Sequence, residues 1–238
     1  METDAFETRS GRSVTAVTAG EMRAVDEVAV DDFGISLLQM MEHAGRNLAA
    51  VVRAEEPESV VVLAGNGGNG GGGLCAVRHL ANRNVPVSVV LDRPPEGLDG
   101  AARTQYETLD SMGVSIDYGE TAIKQTDPTI IVDALVGYGL EGALRGTAAD
   151  LVERVGAGDA TVVSLDVPSG MNATTGERAG PSVEPDHVVT LALPKTGLTA
   201  LDAQLFLADI GLPSGVYTSL DIPYSSPFED EYVIELSW

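Results

Sequence analysis

The sequence predicts an α/β fold, a three-layer α/β/α Rossmann-like arrangement around a largely parallel central sheet. Three observations carry this. Short apolar runs rich in Val and Ile recur along the chain and are continuous rather than alternating, as in strands covered on both faces. Helical or polar stretches separate them, so strand and helix alternate. Most runs end in Asp, with Gly or Pro nearby, at the carboxyl ends where open α/β sheets hold their ligands.

Taken in order, residues 1–15 are expected to be a flexible segment ahead of a single domain over 16–238. Thr18 and Glu21 stand at capping-box spacing and open a first helix. Leu37, Met41, Ala44, Leu48 and Val51 share one face of a second. The first strand, in SVVVLAG, runs into Gly65 to Gly73, where seven of nine residues are glycine, and then into a helix in LCAVRHLANR. Further strands follow in VPVSVVLD, TIIVDALVG, ATVVSLDVP, DHVVTLALP and QLFLADIGLP, with helices in DGAARTQYETLDSMG and TAADLVERVGAG. In the tail, YVIEL is a candidate edge strand.

Composition narrows the partners. The 238 residues are 44% hydrophobic, enough for a sizeable core. Against 36 acidic residues stand 14 basic ones, a net charge of −22 that repels phosphate backbones, and there is no basic patch for a nucleic acid. The balance reads as the solvated acidic surface of a salt-adapted (halophilic) protein. The lone Cys75 cannot form an internal disulfide, which suits a reducing cytosol; a small buried helix residue is its simpler reading, a catalytic thiol the sharper one. No signal-peptide core opens the chain and no apolar run approaches the ~20 residues of a membrane span, so a soluble cytoplasmic protein without a membrane partner is expected.

Gly65, Gly67 and Gly70 match G-x-G-x-x-G between a strand and a helix, and Asp92 ends the next strand, a dinucleotide-binding fingerprint. A phosphate loop of the P-loop type fits less well, because no Lys-Ser or Lys-Thr follows. A plain glycine turn is the structural alternative, at roughly 0.5–1 kcal/mol per ordered glycine. Two more strand ends carry the same chemistry: Asp133 with Gly137, Gly139 and Gly142, and Asp166 with Ser169. Three such ends converging on one crevice exceed what a dehydrogenase needs. Asn69, Asp133 and Ser169 offer oxygens for a hard cation, although each aspartate alone reads equally well as a turn or cap residue.

In this order, VVLAGNGGNGGGGLCAVRHL, VDALVGYGLEGALRG, SLDVPSGMNATTGERAGPSVEPDHVVTLALPKTGL and ADIGLP resemble the YjeF N-terminal family, the NAD(P)H-hydrate epimerases. The resemblance covers nearly everything from about Thr18 onward. It implies an isomerase of Rossmann-like fold, usually a homodimer, that interconverts the R and S hydrates of NADH and NADPH for a separate NAD(P)H-hydrate dehydratase. It also implies a potassium ion on Asn69, Asp133 and Ser169, and Asp166 as the acid/base. The dinucleotide would be lined by Gly68, Asn69, Gly70, Gly71 and Gly72, by Gly137, Tyr138, Gly139, Leu140, Glu141, Gly142 and Ala143, and by Asp166. Lys195, in LPKTG, would face the anionic ligand or stand on the surface. Gly68 and Gly72 occupy positions where the family usually has Asn and Asp, and His43 one where it has Asn. A catalytically impaired nucleotide-binding or dimeric interaction module is therefore the second class of function. A dehydrogenase is third, since His43, His79 and His187 have no evident partner in the sequence.

Overall fold

The computed structural model describes residues 5–120 and 128–238. Its strands are β1 (Phe6–Thr8), β2 (Ser13–Val14), β3 (Val60–Ala64), β4 (Val87–Leu91), β5 (Ser115–Tyr118), β6 (Ile130–Ala134), β7 (Thr161–Leu165), β8 (His187–Leu191), β9 (Gln204–Ala208) and β10 (Val233–Ser237). They form one sheet in the order β2-β1-β10-β9-β8-β7-β6-β3-β4-β5. From β5 across to β9 every pairing is parallel, while β10, β1 and β2 continue antiparallel.

The continuous apolar runs become buried parallel strands because each must satisfy two faces. In β3, Val60, Val62 and Ala64 join the core beneath α2 (Leu37–Ala54), α3 (Gly68–Ala81) and α4 (Gly100–Ser111). Val61 and Leu63 point the other way, into a core closed by α5 (Gly146–Val155). Helix α1 (Ala19–Asp31) begins with the Thr18–Glu21 capping box, and Ser36–Gln39 makes a second one at the start of α2. On α2 the expected face is buried at Met41, Ala44, Leu48 and Val51, but Leu37 is 45% exposed.

Two expectations need correction. The segment over residues 1–15 is not loose where it is described: β1 and β2 form a hairpin with a turn through Gly11 at φ +76°, and Phe6 is buried against the sheet. Its signal was the alternation in Phe6-Glu7-Thr8, which buries every second residue. YVIEL is not an edge strand either, because β1 pairs along the outer side of β10.

The chain steps outward from β3 to β4 and β5, then returns to the opposite side of β3 with β6. This reversal opens a crevice at the carboxyl ends of β3 and β6, the usual ligand position in open parallel sheets.

Candidate active site

The glycine run does not form a loop. Gly67 is the N-cap of α3, and Gly68 to Gly73 are its first turns. A Cβ at Gly70 would lie 1.8 Å from the Gly65 carbonyl oxygen, at Gly71 2.6 Å from Met41 Cε, at Gly72 2.9 Å from Leu165 Cδ2, and at Gly73 2.5 Å from Ala134 Cβ. Successive residues of a helix point in different directions, so four glycines let α3 press on strand, loop and neighbouring helix at once. Gly70, Gly71 and Gly72 are thus buried packing positions, and the Gly71 N–H is spent on the Gly67 carbonyl at 3.0 Å. They do not line the cavity, contrary to the sequence expectation.

At the crevice lies a cavity of about 500 Å³. Gly68, Asn69, Gly137, Tyr138, Gly139, Asp166 and Lys195 line it; Leu140, Glu141, Gly142 and Ala143 do not. Beyond Gly139 the chain leaves the crevice, and Leu140 packs on the α5 side.

Asp133 and Ser169 sit beneath the cavity, both fully buried. The Asp133 carboxylate accepts from Ser169 Oγ (2.5 Å), Ser169 N (2.8 Å), Ser164 Oγ (2.8 Å) and Leu135 N (3.3 Å). Burial pushes its pKa above the ordinary carboxylate value, against the pull of those donors. Ser169 Oγ in turn accepts from Val136 N at 2.9 Å, so this cluster fixes the backbone that leads into Gly137 and Tyr138.

Asp166 follows β7 with φ at +67°, and Ala192 follows β8 at +62°, both unfavourable for residues with a Cβ. These two bends bring Asp166 and Lys195 together. Lys195, only 1% exposed, donates to Asp166 Oδ1, to the Leu191 carbonyl (2.9 Å) and to Thr190 Oγ1 (3.4 Å), using all three ammonium protons. Leu191 N also donates to Oδ1 (3.3 Å), while among the described residues Oδ2 receives only Tyr138 N at 3.3 Å. The surface alternative for Lys195 is thereby corrected.

Asn69 and Asp166 face each other over Gly137: a Cβ there would lie 3.2 Å from Asn69 Oδ1 and 3.1 Å from Asp166 Oδ2. The Asn69 amide is buried at both polar atoms with no partner among the described residues. A buried amide in that state is costly unless something else bonds to it.

The sequence reading missed Asp26. From α1 it lines the cavity and accepts from the Tyr138 hydroxyl at 2.5 Å. Burial raises the Asp26 pKa, and burial together with the Asp26 charge raises that of Tyr138. Nothing in the polar face of α1 distinguishes Asp26 from its solvated neighbours before the helix is docked. Outside the cavity, Glu42, Cys75 and His79 bring a carboxylate, a thiol and an imidazole within 4.8 Å of one another, a possible metal-binding group. Arg78 already pairs with Glu42, whose Oε1 lies 2.9 Å from His79 Nε2, so His79 does have a partner. Burial pushes the Cys75 thiol up to about 12, which disfavours the catalytic-thiol reading.

The sequence profile of the YjeF-related protein N-terminus matches residues 37–197. The NAD(P)H-hydrate epimerase of Dehalogenimonas lykanthroporepellens is 43% identical over 246 aligned residues, covering 98% of this chain and 97% of that protein. The bifunctional NAD(P)H-hydrate repair enzyme Nnr of Moorella thermoacetica is 35% identical over 214 residues; the match covers 83% of this chain and 40% of that protein. A yeast protein of known crystal structure superimposes with a TM-score of 0.82, covering 93% of this chain and 100% of that one, at 22% identity. That last likeness is one of fold.

Proposed function

The chain belongs to the family of the YjeF-related protein N-terminus, and on that premise we propose that it is an NAD(P)H-hydrate epimerase, an isomerase interconverting the R and S hydrates of NADH and NADPH. The observation that carries the proposal is the buried Asp166–Lys195 pair in the wall of the crevice cavity. Epimerisation at the hydrated carbon requires its C–O bond to break and reform on the other face. Proton delivery to the hydroxyl lets the ring nitrogen lone pair expel water, and water can then add to either face of the planar cation. Asp166 Oδ2 is the oxygen suited to carry that proton out and back, since Lys195 occupies Oδ1. Lys195 fixes the carboxylate, and the Tyr138 N–H helps to aim it.

The family's potassium ion fits the donor chemistry: Asn69, Asp133 and Ser169 offer an amide oxygen, a carboxylate and a hydroxyl, and the buried Asn69 oxygen, without a partner among the described residues, is one that a cation would satisfy. When bound, the ion would supply positive charge against the buried Asp133 carboxylate. The resemblance also supports a homodimer and a separate dehydratase that consumes the S hydrate; relatives named as bifunctional repair enzymes are consistent with a paired activity. No helix among the described residues is long and apolar enough to cross a membrane.

One observation favours the non-catalytic reading: Gly72 packs against Leu165 and carries no carboxylate where the family has one. A coupled assay separates the two. Racemic hydrate is mixed with the protein and an S-specific dehydratase, in potassium and then in sodium. Consumption of the R form faster than its unaided drift, and faster in potassium, is expected. No acceleration in either salt makes the chain a binding module.

A further inference from the structure

Asp92, the acid of the dinucleotide fingerprint, has no part in the epimerisation chemistry, yet it lines the same cavity. It follows β4, whereas Asp166 follows β7, so the two acids stand on opposite sides of the reversal between β3 and β6. Gly67 and Gly68 line the cavity at the carboxyl end of β3, between them in the sheet order. Arg93 donates to Asp92 in two-pronged fashion, Nε to Oδ1 at 2.8 Å and Nη2 to Oδ2 at 3.0 Å. The Asp92 side chain is 11% exposed and that of Arg93 42%, so the acid is fixed and its cation can swing.

Resting on the reading of the cavity as a nicotinamide-hydrate site, we propose that Asp92 and Arg93 read the ribose 2′ position of the adenosine half: Asp92 accepts a 2′-hydroxyl, and Arg93 turns to hold a 2′-phosphate. A dinucleotide whose reacting ring lies by Asp166 extends its other nucleoside toward β4, where an acid meets the ribose and a neighbouring arginine matches a phosphate. The cavity's other two cations, Lys195 and Arg23, stand at the end of Asp166 and Tyr138. Lys195 is spent on Asp166, and Arg23 lies close enough to Tyr138 to influence its hydroxyl. In a chain of net charge −22, an extra phosphate needs a local cation, and Arg93 is the one at this end.

The test uses non-reacting fragments, ADP-ribose and its 2′-phosphate, titrated calorimetrically into the whole protein. Wild type binds both. Arg93→Ala shifts the ratio of the two Kd values at least 10-fold against the phosphorylated ligand, and Asp92→Asn shifts it the opposite way. A ratio that stays within 2-fold in Arg93→Ala, or a wild type that binds neither fragment, overturns the proposal. Failure of the epimerase reading shows separately, as a protein that shifts its ratio as expected yet does not accelerate R-hydrate consumption.

Discussion

Asp133 and Asp166 stand at the carboxyl ends of neighbouring strands, each after buried aliphatic residues, yet the protein surrounds them differently. Asp133 is closed off: four neutral donors surround its two oxygens, and no cation pairs with it among the described residues. Asp166 is balanced by a buried lysine on one oxygen, keeps the other nearly unbonded toward the cavity, and sits at a strained φ. The contrast separates a carboxylate that organises backbone from the one proposed above as the acid/base.

Breaking the contrast at Asp166 has the largest effect. Asp166→Asn is expected to lower hydrate turnover by about 10³-fold, within the usual range for a lost acid/base. It also strands the Lys195 charge in the interior, a loss of about 3–5 kcal/mol readable as a lower urea midpoint. Asp166→Asn with Lys195→Met should regain most of that stability and none of the turnover. Normal epimerisation by the single variant would remove Asp166 from the chemistry, and a double variant no more stable than the single would show that the pair is not the source of the loss.

At Asp133 the effect is smaller and of another kind. An asparagine offers one acceptor oxygen, and its amide N–H₂ confronts the Ser164 hydroxyl or the Ser169 N–H, so Asp133→Asn is expected to cost about 1–3 kcal/mol. No second substitution at a cationic side chain can compensate, because none pairs with Asp133 among the described residues. Turnover falls as the Val136–Tyr138 backbone loosens and as the proposed potassium site loses its carboxylate. A variant of unchanged urea midpoint that has lost as much activity as Asp166→Asn would erase the distinction.

Much of this was legible in the chain. The strands β3, β4 and β6 to β9 follow from apolar runs that must bury two faces, and the acids at their ends fall where a parallel sheet puts them. The short strands β1, β2 and β5 escaped because they are partly exposed and alternate, a weak signal over two to four residues. The glycines were seen but their reason was not: sequence shows missing side chains, while only the packed helix shows Leu165, Met41, Ala134 and the Gly65 carbonyl in their place. Lys195 in LPKTG could stand inside or outside until the bend at Ala192 sends it inward. Asp26 depends wholly on where α1 docks.

Asp26 gives the smallest and sharpest extension of the comparison. It lies on the cavity wall like Asp166 but, like Asp133, is hydrogen-bonded by a neutral donor, the Tyr138 hydroxyl. Burial raises its pKa in the folded protein, with Tyr138 and the Lys195 charge pulling down and the Asp166 charge pushing up. Between the unfolded pKa of about 3.9 and the raised folded value, the native state holds a proton that the unfolded chain has released. Stability from this group is therefore fully present at acid pH and is lost as pH rises through that window. Asp26→Asn, which can still accept from Tyr138, removes the loss. Its melting temperature relative to wild type should rise as the pH is raised from 4 to 7, by an amount set by how far burial lifts the Asp26 pKa. A difference that stays flat with pH would mean that Asp26 is ionised in the fold at the same pH as in the open chain, and that its burial does not govern the proton.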